Sequence, residues 1–132
     1  AFVQRILDDH ADMVLASRTA GRAESGSLSP IQRWGNLLQT RALNLRFGLH
    51  LTDMGPMRAI RWTSLAALGM EDTTWGWNVE MAAKAARAGL RIEEVPVTYR
   101  NRAAGQSKIS GDVVGAARAS AKILWALWRY AR

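Results

Sequence analysis

The apolar run Met13-Val14-Leu15-Ala16, entered from Asp12, is the feature that most limits how this chain can fold. It has the length of a buried strand, and a buried strand needs partners and covering layers. Arg91 to Tyr99 supplies a second strand, whose Pro96 marks a sheet edge because proline cannot donate to a ladder. Met57 to Arg61 alternates like a third, short strand leaving the turn at Gly55-Pro56. Helical spacing occupies the intervals. Ile31, Trp34, Leu37, Leu38 and Leu45 define a helix from Ile31 to Phe47, with Pro30 where a first turn tolerates it. A small helix ends at Leu68, and an alanine-rich helix from Gly76 to Ala88 stops at Gly89. A long helix runs from Gly111 to Arg132. Phe2 to Leu7 reads as helix without a capping residue, so the chain is expected to begin inside an element. Ser17 to Pro30, rich in glycine and serine, is expected to be a mobile loop. The class is α/β.

Composition narrows the function. With 132 residues, one domain is the ceiling, and 48% apolar against 22% charged residues argues against disorder. The net charge of +7, carried mostly by arginine, calls for an anionic partner: nucleic acid, an anionic membrane or a phosphorylated substrate. No nucleic-acid motif is present and the aromatics are not interleaved with the basic loops, which argues against nucleic acid. Cysteine is absent and His10 and His50 are the only histidines, which excludes disulfides, thiolate chemistry and cysteine-bound zinc. No run of about eighteen apolar residues exists to span a bilayer, and the first residues lack a secretory pattern, so the chain is expected to be soluble or to lie on a membrane.

Two segments carry chemistry on their own residues. Arg100 to Lys108 joins a strand to the last helix, where cations and free helix amides can converge. It reads either as a phosphate site, with Gly105 admitting the anion, or as a solvated basic turn; it lacks the order of a Walker A loop. In the last helix Arg118, Lys122, Trp125, Arg129 and Arg132 form one stripe, opposite Ala116, Ile123, Leu124 and Leu127. That stripe either rests on the cytoplasmic face of a membrane or is a solvated face with Trp125 covered by arginine stems. Trp75 and Trp77 are expected to pack.

Six blocks in order, Asp12 to Arg18, Arg33 to Asn36, Asp53 to Arg61, Gly76 to Met81, Glu94 to Tyr99 and Arg102 to Lys108, resemble the polyprenyl-phosphate type of family 2 glycosyltransferases, the dolichyl-phosphate mannosyltransferase kind. The resemblance reaches about Ile123. It implies the C-terminal part of a GT-A-like, nucleotide-diphospho-sugar transferase fold, a mixed sheet flanked by helices. Residues 1–110 would form the acceptor-side half of the catalytic domain, and 111–132 a basic amphipathic helix. The implied activity is sugar transfer from a nucleotide-sugar to a polyprenyl phosphate at the inner face of the cytoplasmic membrane.

By the same resemblance Ser17-Arg18 closes a strand beside the sugar nucleotide, Arg33 helps hold the acceptor phosphate, and Arg58 lies in the acceptor pocket. Arg102, Ser107 and Lys108 match a loop over the donor diphosphate, and Glu80 matches an acidic residue facing the active centre. The acceptor phosphate is already an anion, so cations matter more than a strong base. Glu80 therefore orients an arginine or contacts the sugar, or else forms a surface pair with Lys84; Asp53 orients Arg58 or starts a turn. In the family an Asp-x-Asp motif holds Mg²⁺ or Mn²⁺ upstream of the part this chain matches, so its ligands are expected to be missing here. Asp8-Asp9-His10-Ala11-Asp12 fits a charged helix end better than a metal site. The chain alone is expected to be inactive; the alternative is a non-catalytic module binding polyprenyl phosphate or an anionic membrane.

Overall fold

The computed structural model describes residues 2–101 and 113–130. Their elements, in order, are α1 (Phe2–Leu7), β1 (Met13–Ala23), α2 (Pro30–Phe47), β2 (Arg58–Ile60), α3 (Trp62–Leu68), α4 (Trp77–Arg87), β3 (Ile92–Tyr99) and α5 (Val113–Tyr130). The sheet order is β2-β1-β3, with β1 antiparallel to β2 and parallel to β3. This is an α/β arrangement with a three-stranded mixed sheet flanked by helices, consistent with part of a GT-A-like fold. Central β1 is the apolar run, and Met13, Val14, Leu15 and Ala16 are all buried. Pro96 sits opposite Ser17 on β3, an edge strand, as its missing N–H requires.

The loop expected from Ser17 onward is instead more strand. β1 continues to Ala23, with Arg22 and Ala23 paired to Thr98 and Tyr99 after a register shift beyond Ser17. Glycine makes this extension feasible: a Cβ on Gly21 would lie 2.1 Å from the carbonyl oxygen of Val97. The two backbones approach closer there than any side chain allows. Small, largely exposed residues, Thr19, Ala20 and Gly21 among them, fill this outer half, so its composition resembles a loop.

The sequence helices form where expected. Ser29 caps α2 by accepting from the Gln32 amide, while the Gln32 side chain accepts from the Ser29 amide, a reciprocal box at a proline-led start. Gly48 ends that helix with φ 66°, a conformation costly for other residues. α4 is the innermost helix, with Val79, Met81, Ala82, Ala83 and Ala85 buried against β1, α2 and α5. α5 buries Ala119, Ala126, Leu127 and Tyr130; Leu124, expected on that side, is half-exposed. No helix among the described residues is long and apolar enough to cross a membrane.

Candidate functional site

Where the buried half of β1 ends, Arg18 meets Asp53. Nε donates to Oδ2 and Nη2 to Oδ1, both at 2.7 Å, and the Arg18 amide also reaches Oδ2 at 2.7 Å. Asp53 is fully buried, and its hydrogen bonds, outweighing the cost of burial, raise the guanidinium above its usual range. The Tyr99 ring lies 5.4 Å from the Arg18 carbon at the fork. The sequence expectation that Asp53 orients Arg58 is corrected: the segment Thr52-Asp53 crosses the end of β1, so its carboxylate faces Arg18.

That crossing segment is tied down from three sides. Glu94 of β3 accepts from the Thr52 and Asp53 amides at 2.9 Å and from the Thr52 hydroxyl at 2.7 Å. Ser17 and Thr52 share a hydroxyl contact of 2.6 Å. From α2, Asn36 donates to the Thr52 carbonyl at 3.2 Å and accepts from the Met54 amide at 2.7 Å. Arg18 is thus held by packing and by a second ring of hydrogen bonds, the condition for a preorganised anion site.

A cleft of about 450 Å³ opens above this pair, between the outer half of β1 and the first turns of α2. Arg18, Thr19 and Gly21 form one wall; Gln32, Arg33 and Asn36 form the other; Thr52 joins them. Among the described residues, no carboxylate lines it. Arg33 is exposed and makes no ion pair among the described residues. The structure therefore brings Arg18 and Arg33 together.

Arg58 is not in this cleft. Its guanidinium is mostly buried against α4, donating to the Gly55 carbonyl at 2.7 Å and to the Asn78 carbonyl at 3.5 Å, while Nε has no partner. Burial without a carboxylate lowers its pKa to about 10. Glu80 is not a surface residue either. It is fully buried, accepts from the Glu71 and Asp72 amides at 2.8 and 2.7 Å, and meets Lys84 at 2.7 Å. Burial alone would lower the Lys84 ammonium, but Glu80 and Glu71 outweigh it and the pKa is raised. Arg102, Ser107 and Lys108 lie outside the described residues.

The basic stripe of α5 faces the protein's own acidic loop. Lys122 meets Asp72 at 2.9 Å and Arg129 meets Glu71 at 3.1 Å. Trp125 lies beneath both cations, 4.0 Å from the Lys122 ammonium and 5.4 Å from the Arg129 fork. Arg118 is exposed, and Arg132 lies outside the described residues. Trp75, expected to pack, is instead exposed, while Trp77 is half-buried; both line a second cleft of about 420 Å³ with Gln39 and Asn78.

The acidic residues near the start of β1 are taken up by arginines. Asp9 and Asp12 are shared between Arg61 and Arg91, the charged helix end the sequence points to, and Asp12 lies within 2.9 Å of Arg91. Asp53, Asp72 and Glu80 are each engaged as described, and no three histidine or acidic residues converge among the described residues.

Sequence reasoning missed the Glu94 and Asn36 supports. Both lie inside the blocks Glu94 to Tyr99 and Arg33 to Asn36, but nothing in the sequence says that they meet over Thr52.

No family model matches the chain, and no solved structure matches it. Curated relatives do. An undecaprenyl-phosphate mannosyltransferase of Micrococcus luteus is 38% identical over 117 residues, covering 81% of this chain and 46% of the relative. An uncharacterized glycosyltransferase of Mycobacterium tuberculosis is 36% identical over 110 residues, covering 83% and 49%. A dolichyl-phosphate hexose transferase of Haloferax volcanii is 32% identical over 114 residues, covering 85% and 48%. The chain spans about half the length of these relatives, and by that relationship it belongs with the glycosyltransferases.

Proposed function

We propose that this chain is the acceptor side of an enzyme that moves a sugar from a nucleotide-sugar donor onto a polyprenyl phosphate, working peripherally at the cytoplasmic membrane face. The observation that carries the reading is the cleft that Arg18 and Arg33 share, which no carboxylate lines among the described residues. A phosphate monoester seated there meets two guanidinium groups, one of them already oriented by Asp53. Its oxygen attacks the anomeric carbon, the bond from that carbon to the diphosphate oxygen breaks, and the nucleoside diphosphate leaves. The attacking oxygen carries its own negative charge, so no side chain needs to remove a proton. What the protein supplies is relief of repulsion between two phosphate-bearing substrates and a fixed position for one of them.

Arg58 extends this electrostatic field from below. Largely buried and without a carboxylate partner among the described residues, it gains when an anion arrives nearby. Arg102, Ser107 and Lys108 are assigned to the donor diphosphate by resemblance. Mg²⁺ or Mn²⁺ on that diphosphate is assigned to the donor half.

The test is sugar transfer by the complete natural protein to a polyprenyl phosphate, with the binding of that lipid followed separately. Arg33→Ala is expected to weaken acceptor binding while leaving donor binding intact. Tight acceptor binding without transfer in the complete protein would point instead to a non-catalytic lipid-phosphate module.

A further inference from the structure

α2 has two jobs on two sides. One side lines the arginine cleft with Gln32, Arg33 and Asn36 and buries Thr40 and Leu43 against the core. The other is apolar and uncovered: Ile31, Trp34, Leu38 and Leu45 are 66%, 72%, 51% and 88% exposed. At about 3.6 residues per turn these four fall within an arc of roughly 60°, opposite Leu43. An apolar stripe on a surface helix ordinarily faces the core, and here the core is on the far side. Arg41 and Arg46, both exposed, flank the stripe, one on each side.

We infer that this face of α2 docks on an anionic lipid bilayer, with Ile31, Trp34, Leu38 and Leu45 among the acyl chains and Arg41 and Arg46 at the headgroups. Flanking arginines reach lipid phosphates while their stems cover the apolar stripe, and the net charge of +7 favours an anionic surface. On the competing helix face, two of the cations of α5, Lys122 and Arg129, are already paired with Asp72 and Glu71. A third argument rests on the proposed lipid-phosphate acceptor. Such a phosphate cannot move far from the bilayer surface, and α2 carries both a wall of the cleft and the exposed apolar face.

The complete natural protein is mixed with vesicles of phosphatidylglycerol and phosphatidylcholine containing no polyprenyl phosphate, and partitioning is read by flotation. Trp34→Ser with Leu38→Ser is expected to reduce partitioning roughly tenfold or more, while Trp125→Ala changes it less than about twofold. Both substituted positions are exposed, and circular dichroism checks that the fold survives. As a second readout, a polarity-sensitive dye on Leu45→Cys is expected to shift to the blue only with anionic vesicles. Unchanged partitioning in the double variant overturns the proposal. So does a dye already shielded without lipid, because a second copy or another part of the protein then covers the face. The vesicles carry no acceptor, so loss of docking leaves the sugar-transfer reading standing, and docking without transfer counts only against that reading.

Discussion

Arg18 and Asp53 meet fork to fork, with paired contacts of 2.7 Å around a carboxylate that is fully buried. The pair joins the end of the central strand to a segment that arrives from the C-terminus of α2. It therefore serves both folding and the cleft. Asp53→Asn keeps the shape and removes the counter-charge, leaving a largely buried guanidinium alone. A loss of about 3 kcal/mol or more in urea denaturation is expected. Arg18→Met combined with Asp53→Leu is expected to cost less than the two single changes added together, since neither charge is then left unpaired.

Arg33 is the contrasting case. It faces the cleft without a carboxylate partner among the described residues, so removing it leaves nothing orphaned. Arg33→Ala is expected to change stability by less than about 0.5 kcal/mol. In the complete enzyme it is expected to raise the KM for polyprenyl phosphate roughly tenfold or more, as loss of a charge-assisted contact does. Arg33→Lys restores the charge without the fork and is expected to recover only part of the effect, read from the same kinetics.

Glu80 separates a structural role from a chemical one. Its two oxygens hold the amides of Glu71 and Asp72, and Lys84 meets it at 2.7 Å. Glu80→Ala leaves those amides and a cation without their partner, and a loss of about 3–5 kcal/mol is expected by thermal or urea unfolding. Glu80→Gln retains an acceptor and is expected to lose less. If Glu80→Gln abolishes transfer while stability is nearly unchanged, the residue acts on substrate and the structural assignment fails.

Acid is expected to weaken the start of β1. Hydrogen bonds and charge from Arg91, with help from Arg61, hold the Asp12 carboxyl well below its unfolded value of 3.8, and Arg91 lowers Asp9 as well. A folded pKa below the unfolded one contributes stability above 3.8, and that contribution is lost as pH falls toward the folded value. Arg91→Ala is therefore expected to be less stable than the parent above about pH 5, and the gap is expected to close on acidification below that range. Urea midpoints taken across this pH range check it.

Much of the architecture is legible in the sequence because local signals agree with it. Pro30 starts a helix, Gly48 and Gly89 sit just past helix ends with positive φ, and Pro96 lies on an edge strand. The outer half of β1 is not legible, since strand pairing there depends on Val97, more than seventy residues away, and its composition of small residues mimics a loop. The arginines of the cleft can be chosen from motif matches, but their partners cannot. The sequence offers Asp53 either Arg58 or a turn, and neither reading points to Arg18, which reaches it only through the fold. Burial likewise changes the meaning of Glu80, whose spacing from Lys84 is that of an ordinary surface pair.

The register shift in β1 also divides the strand by its tolerance for change. Met13 to Ser17 are enclosed by the core, so substitutions among them disturb the whole fold. From Thr19 outward the residues are largely exposed and shape one bank of the cleft. A lineage can therefore retune what the cleft accepts by varying this outer bank, with little penalty in folding. Gly21 is the fixed point in that bank, because every alternative side chain would collide with the backbone of Val97.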